Sequence, residues 1–333
     1  MMEKQSVTIY DVAEQAGVSM ATVSRVVNGN PNVKAATRKK VMKVIEDLDY
    51  RPNAVARGLA SKRTTTVGVI LPDINNAFFA SLSTGINDIA LMYHYDILLA
   101  TAEGEKDRDV SVFQSMLAKQ VDGIIYLGNE ISLALRQEIE RTNTPVVLAG
   151  TQLEDTSCAS VNIDHEAAVY DAVSYLAERH EKIALITGPL TEYINGHDLL
   201  LGYKKALKDH ERAYSEAYIF ESHYTLKAGE QLAERLHNSG VTAAFVADDL
   251  LAVGILNGLQ DQGYHLPEDM ELISADNTIY TDMVRPKISS IQHPLYDIGA
   301  VAMRLLTKMM HNEEIEDKNI ILPYSLRFKG TTK

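Results

Sequence analysis

Cysteine is nearly absent. Cys158 stands alone among 333 residues, which excludes an internal disulfide, and a solitary thiol of this kind reads as an inert structural group. No apolar run approaches the roughly 20 residues that span a bilayer. The N-terminus lacks an apolar stretch of signal-peptide type, so the expectation is a cytoplasmic protein with no membrane contact. The ten histidines show no metal-type pairing, and no Cys/His cluster has zinc spacing. Glycine-rich phosphate loops and a Gly-x-Ser-x-Gly nucleophile elbow are also missing. An enzyme reading would rest on architecture alone, and fold does not dictate function. No catalytic residue and no metal site are expected.

What is present is ordinary in bulk and uneven in distribution. The chain is 46% hydrophobic and 23% charged, as soluble globular proteins are. Its length suggests two or three compact units. The net charge of −13 is split: residues 1–63 hold eleven Lys/Arg against six Asp/Glu, while the remainder holds 21 against 39. A basic head on an acidic body suits a protein whose head alone touches phosphate.

Within that head, residues 8–29 carry the strongest local pattern. Ile9, Val12, Ala13 and Ala16 form one apolar helix stripe. Gly17 breaks it as a residue tolerant of positive φ, and Ser19 is placed to cap a second helix. Val23, Val26 and Val27 face one side of that helix; Ala21, Ser24, Arg25 and Asn28 face the other. Two short helices burying each other, with a small, polar, singly cationic face outward, is the layout of a helix-turn-helix whose second helix enters the major groove. An ordinary helical hairpin with a solvated outer face is the bland alternative. A third helix is expected over about 37–48, with Val41, Val44, Ile45 and Leu48 inward and Arg38, Lys39, Lys40 and Lys43 outside.

Pro52 stops this helix, and Asn53 can cap another of about seven residues, too short to hold in water unaided. Val55 and Leu59 share its face. That suits a hinge helix that pairs with its copy in a dimer and pushes a leucine into the minor groove; a plain linker is the alternative. From Thr66 onward strands and helices alternate. Strands are expected at 67–71, 95–101, 122–127, 145–150, 182–187, 217–220, 242–247, 270–274 and near Ile320. Helices are expected at 76–92, 106–119, 131–142, 164–179, 198–209, 225–238, 249–262 and 295–310. This alternation means parallel sheets in α/β layers, and its two runs suggest two doubly wound sub-domains with a cleft at the carboxyl ends of their strands.

The helix-turn-helix, the stretch Arg-Pro-Asn-Ala-Val-Ala-Arg-Gly-Leu (51–59) and the strand Thr-Val-Gly-Val-Ile-Leu-Pro-Asp (66–73) together resemble the lac/galactose repressor family over essentially the whole chain. The resemblance implies a three-helix head and hinge helix, then a core like that of periplasmic sugar-binding proteins, with three segments crossing between the sub-domains. It places the DNA-binding domain at 1–51, the hinge and linker at 52–63, and an effector-binding and dimerisation core at 64–333. Within the core it divides an N-subdomain of about 64–163 and 293–325 from a C-subdomain of about 164–292 and 326–333. It implies a homodimer on pseudo-palindromic double-stranded operators. DNA contact is thereby carried onto Thr8, Tyr10, Ser19, Ala21, Thr22, Ser24, Arg25, Asn28, Asn32, Asn53, Leu59 and Ala60, with Leu59 inserted in the minor groove and Val55 at the hinge dimer contact.

Residues 296–308, Tyr-Asp-Ile-Gly-Ala-Val-Ala-Met-Arg-Leu-Leu-Thr-Lys, resemble the signature of that family's carbon catabolite control branch. There the co-repressor is another protein, the phosphocarrier HPr phosphorylated on serine. The helical wheel puts Ile298, Ala302, Leu305, Leu306 and Met309 on a core face, and Tyr296, Ala300, Met303 and Thr307 opposite, flanked by Asp297, Arg304 and Lys308. An outward tyrosine and methionine rimmed by cations resembles an interface, and Arg304 can fork onto a phosphate. The co-repressor contacts expected are Tyr296, Asp297, Met303, Arg304, Thr307 and Lys308.

Three departures bear on a small effector. Gly196 stands where many sugar-responsive relatives carry a cleft arginine. Ser274-Ala275-Asp276 replaces Gly-Phe-Asp, and Tyr324-Ser325 replaces the His-Arg of the catabolite branch. The first two weaken direct sugar binding; no cofactor is expected, and phosphorylated sugars remain at most a weak adjunct. Asp248-Asp249 reads as a helix cap with a favourable dipole position, with Asp249 and Asp276 as effector-cleft candidates. A repressor answering to a small sugar or nucleobase in the cleft is the alternative function. A sugar-binding or sugar-processing α/β protein with an incidental basic head is the third.

Overall fold

The computed structural model describes residues 7–51, 63–102, 108–128, 131–151, 158–192 and 194–333. The chain divides into two compact units, Met1–Thr64 and Thr65–Lys333. The hinge candidates Asn53, Val55, Leu59 and Ala60 lie outside the described residues.

Among its described residues the first unit holds three helices: α1 (Ile9–Ala16), α2 (Met20–Val27) and α3 (Ala35–Asp47). Val12, Ala16, Val23 and Val41 are fully buried between them. Gly17 adopts the left-handed conformation at φ 62° that ends α1. Ser19 caps α2, its side chain accepting from the Thr22 N–H at 3.2 Å. α3 starts two residues earlier than the apolar pattern suggests, because Ala35-Ala36 are strong helix formers with no apolar mark of their own.

In the second unit the strands, in chain order, are β1 (Thr66–Leu71), β2 (Asp96–Thr101), β3 (Gly123–Tyr126), β4 (Val146–Ala149), β5 (Ala159–Asn162), β6 (Ile183–Thr187), β7 (Ile219–Glu221), β8 (Ala243–Val246), β9 (Glu271–Ser274), β10 (Ser289–Gln292), β11 (Asn319–Ile321) and β12 (Ser325–Arg327). They form two six-stranded sheets, β11-β5-β4-β3-β1-β2 and β12-β10-β9-β8-β6-β7. Pairing is parallel except between β10 and β12. β5, β10 and β12 escape the apolar pattern because they read Ala-Ser-Val-Asn, Ser-Ser-Ile-Gln and Ser-Leu-Arg.

Helices fill the layers: α4 (Ala77–Met92), α5 (Arg108–Ala118), α6 (Leu133–Arg141), α7 (His165–Ala177), α8 (Leu200–Asp209), α9 (Leu226–Asn238), α10 (Asp249–Asp261), α11 (Tyr280–Met283) and α12 (Leu295–Met310). A π-helical segment, Ile194–Leu199, leads into α8. The chain passes between the sheets three times: after β5, after β10 and between β11 and β12. Among the described residues no helix is long and apolar enough to cross a membrane.

Candidate functional site

The residues expected to form sites fall on three surfaces: the outer face of α2, the exposed stripe of α12, and the cleft where the two sheets' carboxyl ends meet.

On the head, Tyr10 is 66% exposed, and Thr8, Ser19, Ala21, Arg25, Asn28 and Asn32 are exposed with it. Thr22 and Ser24 are half-buried. Each has a local partner: the Thr22 hydroxyl lies 2.9 Å from Ser19 Oγ, and Ser24 Oγ accepts from Asn28 Nδ2 at 3.4 Å. Asp11 accepts from both the N–H and the hydroxyl of Thr8, each at 2.7 Å. The backbone bond from Thr8, and then the hydroxyl bond, hold the Asp11 carboxyl below its ordinary range. The Arg25 side chain makes no hydrogen bond or ion pair among the described residues, so its guanidinium is available to a base edge.

Arg38 corrects the expected outer row of α3. It is half-buried and donates to the Asn30 carbonyl at 2.5 Å and the Val26 carbonyl at 3.5 Å. Arg38 thereby ties the loop that follows α2 back onto α3. Lys39, Lys40 and Lys43 remain exposed for phosphate.

α12 is buried on two sides, against its sheet and against α4. Met303 is fully buried, Thr307 is 2% exposed and Ala300 is 6% exposed. Met303 and Thr307 are therefore not contact residues: the second face of the wheel is taken by α4. Thr307 instead returns its hydroxyl to the Met303 carbonyl at 2.8 Å. What faces solvent is Tyr296 beside a stripe of Asp297, Arg304 and Lys308, with half-buried Val301 between them. The side chains of Arg304 and Lys308 have no hydrogen bond or ion pair among the described residues. Lys308 lies in the last turn of α12, where the helix dipole favours a cation.

The cleft encloses a cavity of about 80 Å³, lined by Phe78, His165, Tyr224, Asp248, Asp276 and His293 among others, with no lysine or arginine among the described residues of its wall. Asp248 caps α10, accepting from the Leu251 N–H at 2.7 Å. Asp249 does not line the cavity. It accepts from the Ser274 hydroxyl at 2.5 Å, the Thr278 N–H at 2.6 Å and the Thr278 hydroxyl at 2.7 Å. One helical step past the cap turns it toward the 274–278 turn, which it braces. Asp276 does line the cavity, from a left-handed backbone at φ 77°. Its neighbour Asn277 is held by Lys329 Nζ and the Ser290 hydroxyl, which donate to its side-chain oxygen at 2.7 and 3.0 Å.

Burial governs the protons here. It pushes the Asp248 carboxyl up to about 6 and raises Asp249. It raises Asp276 well above the carboxylate range, with the charges of Asp249 and Asp248 adding to the effect. It lowers His165 to about 4 and His293 to about 3. His293 Nδ1 sits 3.5 Å from Asp276 Oδ1. With both groups pushed toward neutrality, the contact is a polar one rather than an ion pair. His165 and His293 meet with ring centroids 5.7 Å apart. Sequence reasoning misses both histidines, although each follows directly on a strand at a crossover, the place where α/β ligand sites form. Among the described residues no group of three or more His, Cys, Asp or Glu could hold a metal ion. At the third crossover the Tyr324 hydroxyl donates to Asp171 at 2.7 Å, while Ser325 lies in β12 opposite Gln292.

Two family descriptions match the chain: "Bacterial regulatory proteins, lacI family" over residues 8–53 and "Periplasmic binding protein-like domain" over residues 173–332. The chain is 54% identical over 333 residues to catabolite control protein A of Streptococcus mutans serotype c (strain ATCC 700610 / UA159), covering 100% of both chains. It is similar to the crystal structure of the transcription regulator CcpA of Lactococcus lactis, with 40% identity and a TM-score of 0.78 over 81% of this chain and 100% of that one. It is also similar to the lac repressor dimer bound to operator and the anti-inducer ONPF, with 27% identity and a TM-score of 0.88 over 98% and 99%.

Proposed function

The chain belongs to the lacI family of bacterial regulatory proteins, as a DNA-binding transcription regulator of the catabolite control protein A type rather than an enzyme, and from that membership we propose how it is switched. It binds pseudo-palindromic operators as a dimer, and serine-phosphorylated HPr docks on α12 as co-repressor. The phosphoserine meets Arg304 and Lys308, with Tyr296 and Asp297 at the other end of the stripe. Docking favours one rotation of the two α/β halves, and operator affinity rises by the differential affinity of the co-repressor for that state.

The observation that carries this reading is the pair Arg304 and Lys308. They are exposed, one turn apart and without a side-chain hydrogen bond or ion pair among the described residues, on a body holding 21 cations against 39 anions. A phosphate supplies the charge-assisted hydrogen bonds they lack. Calorimetry of HPr, phosphorylated and unphosphorylated, against the whole protein and its Arg304→Ala variant tests it. Binding of the phosphorylated form alone, lost in the variant, is the expected result; equal binding of both forms contradicts it.

The cavity supports a second reading, a small sugar or nucleobase as effector. Asp276, Asp248 and two histidines converge there with aromatic walls, as small-ligand sites do. Calorimetry with free and phosphorylated sugars separates it from the first.

A further inference from the structure

We propose that Asp88 is a positioning residue of the docking face, acting through Tyr296; this rests on the reading of α12 as the co-repressor site. α4 and α12 touch through glycines: a β-carbon on Gly85 would come 2.0 Å from the Tyr296 carbonyl oxygen, and one on Gly299 2.0 Å from that of Leu82. Asp88 lies one turn beyond Gly85, and Tyr296 one turn before Gly299. The contact that needs both glycines therefore brings these two side chains to the same seam. There the Tyr296 hydroxyl donates to Asp88 Oδ2 at 3.1 Å, and Asn87 Nδ2 reaches the other carboxylate oxygen at 3.5 Å.

Tyr296 is thus 46% exposed yet tied at its hydroxyl. Its ring offers a contact surface whose freedom is already restricted, and a pre-organised aromatic anchor loses less entropy on docking. The hydrogen bond to Tyr296 is the contribution assigned to Asp88, and Asp88→Asn separates it from the carboxylate charge.

The test is calorimetry of serine-phosphorylated HPr with the full-length protein and four variants: Asp88→Ala, Tyr296→Phe, their double substitution, and Asp88→Asn. Asp88→Ala and Tyr296→Phe should each weaken binding by a similar roughly three- to tenfold. The double variant should be no weaker than either alone, and Asp88→Asn, whose amide oxygen accepts the same bond, should stay within about twofold of the parent. Additive losses, an Asp88→Asn as weak as Asp88→Ala, or an Asp88→Ala that binds like the parent would each overturn the proposal. If the parent itself does not bind phosphorylated HPr, the docking reading falls and this proposal with it. If Asp88→Ala fails to fold, as judged by its thermal melt, Tyr296→Phe compared with Asp88→Asn decides the question.

Discussion

Gly85 lies directly beneath the Tyr296 carbonyl: a β-carbon there would stand 2.0 Å from the oxygen. Backbone meets backbone at that point, so no flexible side chain can move aside. Gly85→Ala should force α4 and α12 apart, at a cost of about 1–3 kcal/mol or more for overpacking. The core's melting temperature should fall by roughly 2–10 °C. An unchanged melt by calorimetry would mean that the two helices are not in backbone contact.

Met303 and Arg304 are sequence neighbours with opposite roles. Met303→Ala should destabilise the core by about 2–5 kcal/mol, the range for emptying a buried methionine site, as read from denaturant unfolding. Arg304→Ala should leave unfolding nearly unchanged and abolish the phosphorylated-HPr enhancement of DNA binding, while basal DNA binding stays close to the parent's. Equal losses of basal and enhanced binding in Arg304→Ala would count against the docking role.

Asp248 contributes to the pH dependence of the core's stability with a definite sign. Its carboxyl is raised from 3.8 to about 6 by burial. Between those values the folded protein keeps a proton that the unfolded chain has released. The stabilisation is full below about pH 4 and is lost as pH rises through about 6, a contribution of up to about 3 kcal/mol. Asp248→Asn retains an N-cap oxygen for the Leu251 N–H and should remove this share of the slope, to which Asp249 and Asp276 add with the same sign and His165 and His293 with the opposite one. Urea melts between pH 4 and 7 measure it; a slope equal to the parent's would place the titration elsewhere.

The head divides its cations by role. Arg25→Ala should weaken operator binding by about 1–3 kcal/mol and relax preference at one base pair. Lys39→Ala or Lys40→Ala should weaken all sequences alike and shallow the salt dependence. Arg38→Ala should act through the fold, since its guanidinium holds the Asn30 carbonyl, and should lower the head's thermal stability. Binding titrations at several salt concentrations separate these outcomes.

The head was legible because its signals are local. The apolar stripe, Gly17 and Ser19 all act within a few residues, and the structure uses each as read. The wheel of α12 found the sheet-facing side correctly but could not register a second packing partner 200 residues away. The glycines that admit α4, Gly85 and Gly299, leave no apolar mark on a wheel. The wheel therefore turns the buried Met303 and Thr307 outward, and Asp88 leaves no signal in the local pattern. Short polar strands such as β10 escaped for a related reason: Ser289 and Ser290 are buried by neighbours that lie far away in sequence. The meeting of His165 with His293 is likewise a product of the crossovers, not of spacing. Arg38 is the reverse case, a cation on an apparent outer face that turns back to hold the loop after α2.

The central claim, that a phosphorylated protein switches this regulator, is tested most directly by its affinity for a pseudo-palindromic catabolite-responsive operator, measured alone, with unphosphorylated HPr and with serine-phosphorylated HPr. Strong enhancement by the phosphorylated form only, absent in Arg304→Ala, is the expected result. Tight operator binding that responds to neither form would contradict it and move the effector to the cleft of Asp276 and His293.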